Sequence, residues 1–275
     1  MDIYYSQYTD NNMLYEHRLH EVCESGYPLH THPIYEILFL KKGNITYLIE
    51  GDSYKINCRN TLVFTRPSKG HSIIFDDETD YERYLLLFDD KVLFPHICKK
   101  IPENFDILDF EGNNIVIDLF KKMDFYCKEF EGAELRRLLY NLTEELLYNI
   151  FIAANEKNDV EYHSENPVIK SAVKYINDNI SENISIDDIC KNLFITKSHL
   201  HHLFITHLKI SPKKYITSKK LSLAQRRLRN GARPSEVCNL LGFSEYSTFF
   251  RDYKKHFGHS PSEETQIDEI IQLKT

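Results

Sequence analysis

Ile189-Cys190-x2-Leu193-x2-Thr196-x3-Leu200-x3-Phe204 and Val237-Cys238-x2-Leu241-x2-Ser244-x4-Phe249-x3-Tyr253 are two versions of one pattern. From the shared cysteine to the closing aromatic is 14 residues in the first copy and 15 in the second, the extra residue falling in the turn. In each, a short helix bearing small and apolar residues (186–193; 235–241) leads into a tight turn. Gly242 supplies backbone freedom there in the second copy. A second helix with a polar outer face follows (197–206; 245–256). Asp187, Asp188 and Glu236 stand near helix starts, where the helix dipole favours negative charge. Two helices at a steep angle across a short turn make a helix-turn-helix, whose second helix enters the DNA major groove. Between the copies, 212–229 reads as a helix with Tyr215, Ile216, Leu221, Ala224 and Leu228 on one side and basic residues on the other.

Charge agrees with that reading once it is resolved along the chain. The net formal charge of −7 argues against nucleic acid, but residues 167–262 hold 16 Lys/Arg against 7 Asp/Glu. Residues 1–166 hold 17 against 30. A basic end on an acidic body is the distribution expected where one end meets phosphates. A solvated charged face would look the same by composition alone. The six cysteines (Cys23, Cys58, Cys98, Cys127, Cys190, Cys238) form no C-x-x-C pair, so neither a zinc finger nor a redox motif is visible. Free thiols, no secretion signal and no apolar run near the ~20 residues of a membrane span point to the cytoplasm. No Ser/His/Asp triad, P-loop or dinucleotide fingerprint calls for enzyme chemistry or an organic cofactor.

The first 110 residues read as short strands rich in aromatic and β-branched residues: 35–40, 61–65, 72–75 and 83–88, with a hairpin of 45–50 and 53–56 turning at Gly51-Asp52. Alternation does not settle which faces point inward, so the many Tyr and Phe either line a pocket or fill it. From about residue 115 the period changes. Leu135, Leu138, Leu139, Leu142, Leu146 and Ile150 form a helical stripe, and Gly132 separates it from an earlier helix ending near Phe130. The stripe packs on the chain's own barrel or on a second copy. Residues 156–166 are polar and aperiodic and read as a linker, and Pro167 suits the first turn of the helix that follows.

The C-terminal part resembles the DNA-binding domain of the AraC family of bacterial regulators. The resemblance also rests on Ser211-Pro212-x2-Tyr215-Ile216, Leu221-x2-Ala224-x3-Leu228 and Gly242-Phe243-x3-Ser247-x-Phe249-x-Arg251-x-Tyr253-Lys254-Lys255-x-Phe257-Gly258-x-Ser260-Pro261. It covers about 95 residues, far more than a lone helix-turn-helix. It implies base-facing positions at Ser198, His201 and His202 in the first recognition helix, and at Tyr246, Ser247, Thr248 and Arg251 in the second. Arg251 is the strongest reader, because a guanidinium fork takes guanine O6 and N7 together. Lys197, Lys213, Lys254 and Lys255 suit phosphates. One departure is that the first recognition helix ends in histidines, His201-His202 and His207, which attract phosphate weakly at neutral pH.

His30-x-His32-x3-Glu36-x6-Gly43, with the later Pro67-x2-Gly70-His71, resembles the two motifs of cupins, double-stranded β-helix barrels. That resemblance implies that His30, His32, Glu36 and His71 converge inside a barrel. There they line an effector pocket or, as the sharper alternative, hold Fe(II), Mn(II), Ni(II) or Zn(II). The expected architecture is α+β and multidomain: a cupin-like effector-binding barrel (1–110), a helical dimerisation segment (111–156), a linker (157–166), a double helix-turn-helix domain (167–262) and an acidic tail (263–275). The function implied is a transcription regulator, not an enzyme. Its partners would be promoter DNA, a small effector such as a sugar or metabolite, a second copy of itself and, if it activates, RNA polymerase. The alternative is a metal-dependent cupin enzyme with an accessory DNA-binding domain.

Overall fold

The computed structural model describes residues 2–21, 26–57, 60–76, 80–90, 93–103, 105–110, 113–156, 166–182 and 184–264. Among the described residues the N-terminal half carries ten strands: β1 (Asp2–Thr9), β2 (Met13–His20), β3 (Tyr27–His30), β4 (Tyr35–Lys42), β5 (Ile45–Ile49), β6 (Asp52–Ile56), β7 (Thr61–Thr65), β8 (His71–Phe75), β9 (Tyr81–Phe88) and β10 (Ile107–Asp109). All pairings are antiparallel, in a six-stranded sheet ordered β1-β2-β9-β4-β7-β10 and a four-stranded sheet ordered β3-β8-β5-β6. The described strands thus make two facing sheets, not one closed barrel. The hairpin turns one residue earlier than its sequence suggests: Ile49 pairs with Asp52, and Glu50 and Gly51 form the turn, both with positive φ (49° and 87°). That is the backbone a two-residue I′-type turn needs.

Period two failed to show which faces point inward because the larger sheet is covered on both. Leu38, Leu40, Val63, Leu85 and Leu87 meet Ile45, Tyr47, Ile49 and Ile73 of the smaller sheet. On the other face, Ile37, Phe39, Phe64, Tyr84 and Leu86 meet three helices: α1 (Pro95–Cys98), α2 (Asn114–Glu129) and α3 (Gly132–Asn155). A strand buried on both faces reads as a near-continuous apolar run, as Tyr35 to Leu40 does. The leucine stripe is spent here: Leu135, Leu139, Leu142, Leu146 and Ile150 are buried in the chain's own core. Gly132 starts α3 with φ 59°, after α2 has ended at Glu129. A polar strut holds α2 to the sheet. The Asp124 carboxylate accepts from the Tyr15 hydroxyl (2.6 Å) and faces His17 Nδ1 (2.7 Å).

The C-terminal half is helical: α4 (Pro167–Asp178), α5 (Ile186–Leu193), α6 (Lys197–Leu203), a π-helical turn (Phe204–Leu208), α7 (Pro212–Arg229), α8 (Pro234–Leu240) and α9 (Tyr246–Phe257). Local chemistry fixes the starts. Asn166, Thr196 and Ser211 cap α4, α6 and α7, and Ser185 with Asp188 forms a capping box on α5. Of the expected linker only Asn166 is described here, as that cap; 157–165 lie outside the described residues, as do Cys23, Cys58 and 265–275. The described Cys98, Cys127, Cys190 and Cys238 are free thiols. The expected tail (263–275) is not wholly a tail: its second residue, Glu264, is 1% exposed and accepts from the Tyr253 hydroxyl (2.5 Å) and Gln225 Nε2 (3.3 Å). Two small cores stand on one spine. Tyr215 and Ile216 of α7 join the first, with Ile189, Leu200 and Phe204; Leu221, Ala224 and Leu228 join the second, with Val237, Leu241, Phe249 and Tyr253.

The two turns solve the same problem differently. Gly242 takes φ 62° in the second, whereas Phe194 takes φ 54° in the first with its ring 95% exposed. A side chain in that region costs roughly 1–2 kcal/mol, and this ring recovers nothing by burial. Phe194→Gly should therefore raise the unfolding free energy by about 1 kcal/mol, read from urea melts. Burial pushes the Asp124 carboxyl up, but its bonds with His17 and Tyr15 more than offset this and hold it below its ordinary value. Its contribution is complete above the unfolded carboxylate range and fades as pH falls through the folded value. Asp124→Asn should destabilise the chain by about 1–3 kcal/mol at pH 7. In parallel melts the deficit should shrink below about pH 4; a deficit unchanged at low pH would count against the carboxylate.

Candidate nucleic-acid interface and sensor cavity

The polar face of the first helix-turn-helix unit is continuous. Lys197, Ser198, His201, His202 and Lys213 line one surface groove of about 620 Å3, with Ile186 and Ile205 beneath. The four α6 residues among them are exposed, while Leu200 and Leu203 face the core. Lys197 is not a free cation, since its ammonium stands 2.8 Å from the Asp187 carboxylate. His207 is half-buried beside Asn166 (3.3 Å) and exposed His199 caps nothing, which fits packing and surface roles for this pair. In the second unit, Tyr246, Ser247, Arg251, Lys254 and Lys255 are exposed and Thr248 is half-buried. The Ser247 hydroxyl donates to Glu245 (3.2 Å), and Arg251, 73% exposed, lies 3.9 Å from Asp252.

Much of the remaining basic charge faces inward, which sequence alone missed. Lys219 is 7% exposed and donates to Glu50 Oε1 (2.7 Å) and to the Ser68 carbonyl (2.8 Å). Lys220, 6% exposed, donates to the Glu182 carbonyl (2.9 Å), and burial lowers its pKa. Arg226 and Arg229 face Asp90 (3.9 Å) and Asp89 (3.8 Å). Lys219, Arg226 and Arg229 of α7 therefore face the N-terminal half, whereas Lys220 turns to the segment after α4. Glu50 is the hub: it also accepts from the Gly70 N–H and from Asn177 of α4. Two glycines permit this approach. A Cβ at Gly70 would stand 3.3 Å from the Tyr215 ring, and one at Gly51 would stand 3.1 Å from Ile169 and Val173.

The four residues of the cupin-like pattern do come together. Their ligand atoms lie within 4.8 Å of one another. Nδ1 of His30, His32 and His71 bonds the carbonyls of Pro28 (2.9 Å), Ile34 (3.0 Å) and Lys69 (3.0 Å). A carbonyl only accepts, so each Nδ1 carries the proton and each Nε2 is turned to the cluster. Glu36 Oε2 stands 3.2 Å from His32 Nε2 and 3.7 Å from His71 Nε2. Burial disfavours charge on both Glu36 and His71, but their attraction wins: the carboxyl falls well below its ordinary range and the His71 imidazole rises. Burial and the neighbouring His71 push His30 down to about 3, which keeps it neutral. Imidazoles anchored through the far nitrogen around one carboxylate would suit a divalent first-row ion. They equally suit a ligand's hydroxyl or carbonyl. Beside them a cavity of about 370 Å3 opens between the sheets, with His30, Glu36 and His71 in its wall and Leu38, Ile73 and Leu85 beneath.

A short path joins this cluster to α7. Thr31, between His30 and His32, donates to the Ser218 carbonyl (3.4 Å), and the Ser68 carbonyl that binds Lys219 adjoins the Lys69 carbonyl that orients His71. In a double-mutant cycle, Lys219→Met alone should cost about 1.5–3 kcal/mol by leaving the half-buried Glu50 carboxylate without its cation. Adding Glu50→Gln should recover most of that; additive losses would show that the pair does not couple the halves.

A family model described as a helix-turn-helix domain matches residues 189–266. The HTH-type transcriptional regulator YdiP of Escherichia coli is 22% identical over 252 residues, 87% of this chain and 80% of its own length. The lactose operon transcription activator of Staphylococcus xylosus is 29% identical over 151 residues, 53% of this chain and 54% of its own. Among solved structures, ToxT of Vibrio cholerae is 15% identical over 98% of each chain, with a TM-score of 0.40. Both curated relatives are named as transcription regulators, which favours the regulator over the alternative of a metal-dependent enzyme with an accessory DNA-binding domain. The repeated helix-turn-helix, its matching domain model and its regulator-named relatives make this chain a helix-turn-helix DNA-binding transcription regulator.

Proposed function

We propose that this regulator binds promoter DNA in the cytoplasm as a homodimer, and that a small metabolite in the cavity between the sheets changes its DNA occupancy. The observation that carries the reading is the Thr31–Ser218 and Ser68–Lys219 bridge, which joins the cavity wall to the helix on which both helix-turn-helix units stand. An effector shifts such a system only by binding one arrangement better than the other. A ligand touching His30 or His71 acts one residue from that bridge. A relative named for a lactose operon fits a metabolite-responsive role. The leucine stripe is already used in the monomer, so a second copy would sit on the exposed Ile115, Phe125, Tyr148 and Ile152 of α2 and α3. If the protein activates, the DNA-bound dimer also meets RNA polymerase.

On DNA, α6 and α9 would enter successive major-groove segments about 34 Å apart. Ser198, His201 and His202 of α6, and Tyr246, Ser247, Thr248 and Arg251 of α9, would face the bases. Lys197, Lys213, Lys254 and Lys255 would hold phosphates. Selection from randomised duplexes supplies the site. On it, Arg251→Ala should lose about 1–3 kcal/mol of specific binding and little nonspecific binding. Equal losses on both DNAs would remove Arg251 as a base reader. Lys254→Ala or Lys255→Ala should make the plot of log affinity against log salt shallower by about 0.9, and an unchanged slope would remove that lysine from the phosphate contacts.

A further inference from the structure

The cavity has a second polar wall that the histidine pattern does not predict. Arg18 of β2 and Arg83 of β9 are direct cross-strand partners, and both line the cavity. Arg83 is 4% exposed; among the described residues it faces the Glu16 carboxylate at 3.5 Å, and its Nη1 is buried with no hydrogen-bond acceptor. Arg18 gives its Nη atoms to Asp2, Tyr4 and Tyr27, but its Nε is likewise buried without an acceptor. Like charges directly opposite across a strand pair are destabilising, and a buried guanidinium N–H without an acceptor adds to that cost. Both penalties shrink if an anion sits against Arg18 Nε and Arg83 Nη1, whose N–H groups can be shared between the oxygens of a carboxylate or a phosphate.

The register says how such a ligand would lie. Along the larger sheet, Arg83 is level with Leu40, Leu85 with Leu38, and Leu87 with Glu36. One apolar row therefore separates the arginines from the Glu36 carboxylate. An anionic head at the arginines leaves the far end of the ligand at Glu36 and His71. A second negative charge would be repelled there, and hydroxyl groups would be held. We infer that the cavity takes a small metabolite with a single anionic group, a carboxylate or phosphate held at Arg18 and Arg83, and with hydroxyl donors towards Glu36; this rests on the cavity being the effector site.

The test is calorimetric titration and thermal melting of the full chain with gluconate, glucose 6-phosphate and, as the neutral counterpart, glucose. Ionic strength is fixed and a chelator excludes metal-bridged binding. At least one anion should raise the melting temperature saturably while glucose does not. Arg18→Gln and Arg83→Lys should each weaken that binding roughly tenfold or more. Arg83 is deeply buried, so if its variant does not fold, the less buried Arg18 variant decides. Binding of neither anion to the wild type, or binding unaltered in the folded variants, overturns the inference. Glucose binding without anion binding overturns it too, but leaves the cavity standing as an effector site.

Discussion

The Glu50–Lys219 ion pair is the constraint on which the arrangement of the two halves depends. Glu50 occupies a left-handed turn position and Lys219 the middle of a helix whose apolar residues already serve two cores. Lys219 is buried and Glu50 half-buried, so each charge has lost much of its hydration and needs a partner. Together, with Asn177, the Gly70 N–H and the Ser68 carbonyl, they are compensated, and each half supplies what the other lacks. The requirement is directional: α7 docks with Lys219, Arg226 and Arg229 toward the N-terminal half. The backbone strain at Glu50, with its positive φ, is thus a local cost borne for a contact between halves.

The C-terminal half was largely legible because its information is local. Caps at Ser185, Thr196 and Ser211, prolines at the first turns of α4, α7 and α8, and apolar residues at helical spacing fall where the helices begin and run. The bounds 186–193 and 212–229 agree with α5 and α7. The end of α6 was less readable, since the π-helical turn from Phe204 to Leu208 depends on core packing rather than on a stop signal. In the N-terminal half the central strands and the hairpin were visible, but β1, β2, β3 and β10 were not. β1 is an edge strand with an irregular exposure pattern, and β10 has only three residues.

The candidate sites divide along the same line. His30, His32, Glu36 and His71 were found because their spacing is a pattern in one dimension, and the fold brings them within reach of one another. Arg18 and Arg83 lie far apart in sequence and meet only through strand register, so no spacing could announce them. Lys219 and Lys220 were counted with the basic surface, yet both are buried. Net charge tells how many cations a segment holds, not which of them water can reach. The recognition-helix residues remain assignments by resemblance, placed on exposed or half-exposed faces of α6 and α9.

A single continuous helix carries both helix-turn-helix units, and this makes α7 a ruler. With about 1.5 Å and 100° per residue, one residue added to its interior would swing the second unit through more than a quarter of a circle while lengthening the spine only slightly. Composition along that helix is free to drift wherever the two cores and the docking face allow. Its length is not. The separation of the two DNA-reading surfaces is written into the protein as a residue count, and a change of target spacing would demand whole turns of helix rather than substitutions.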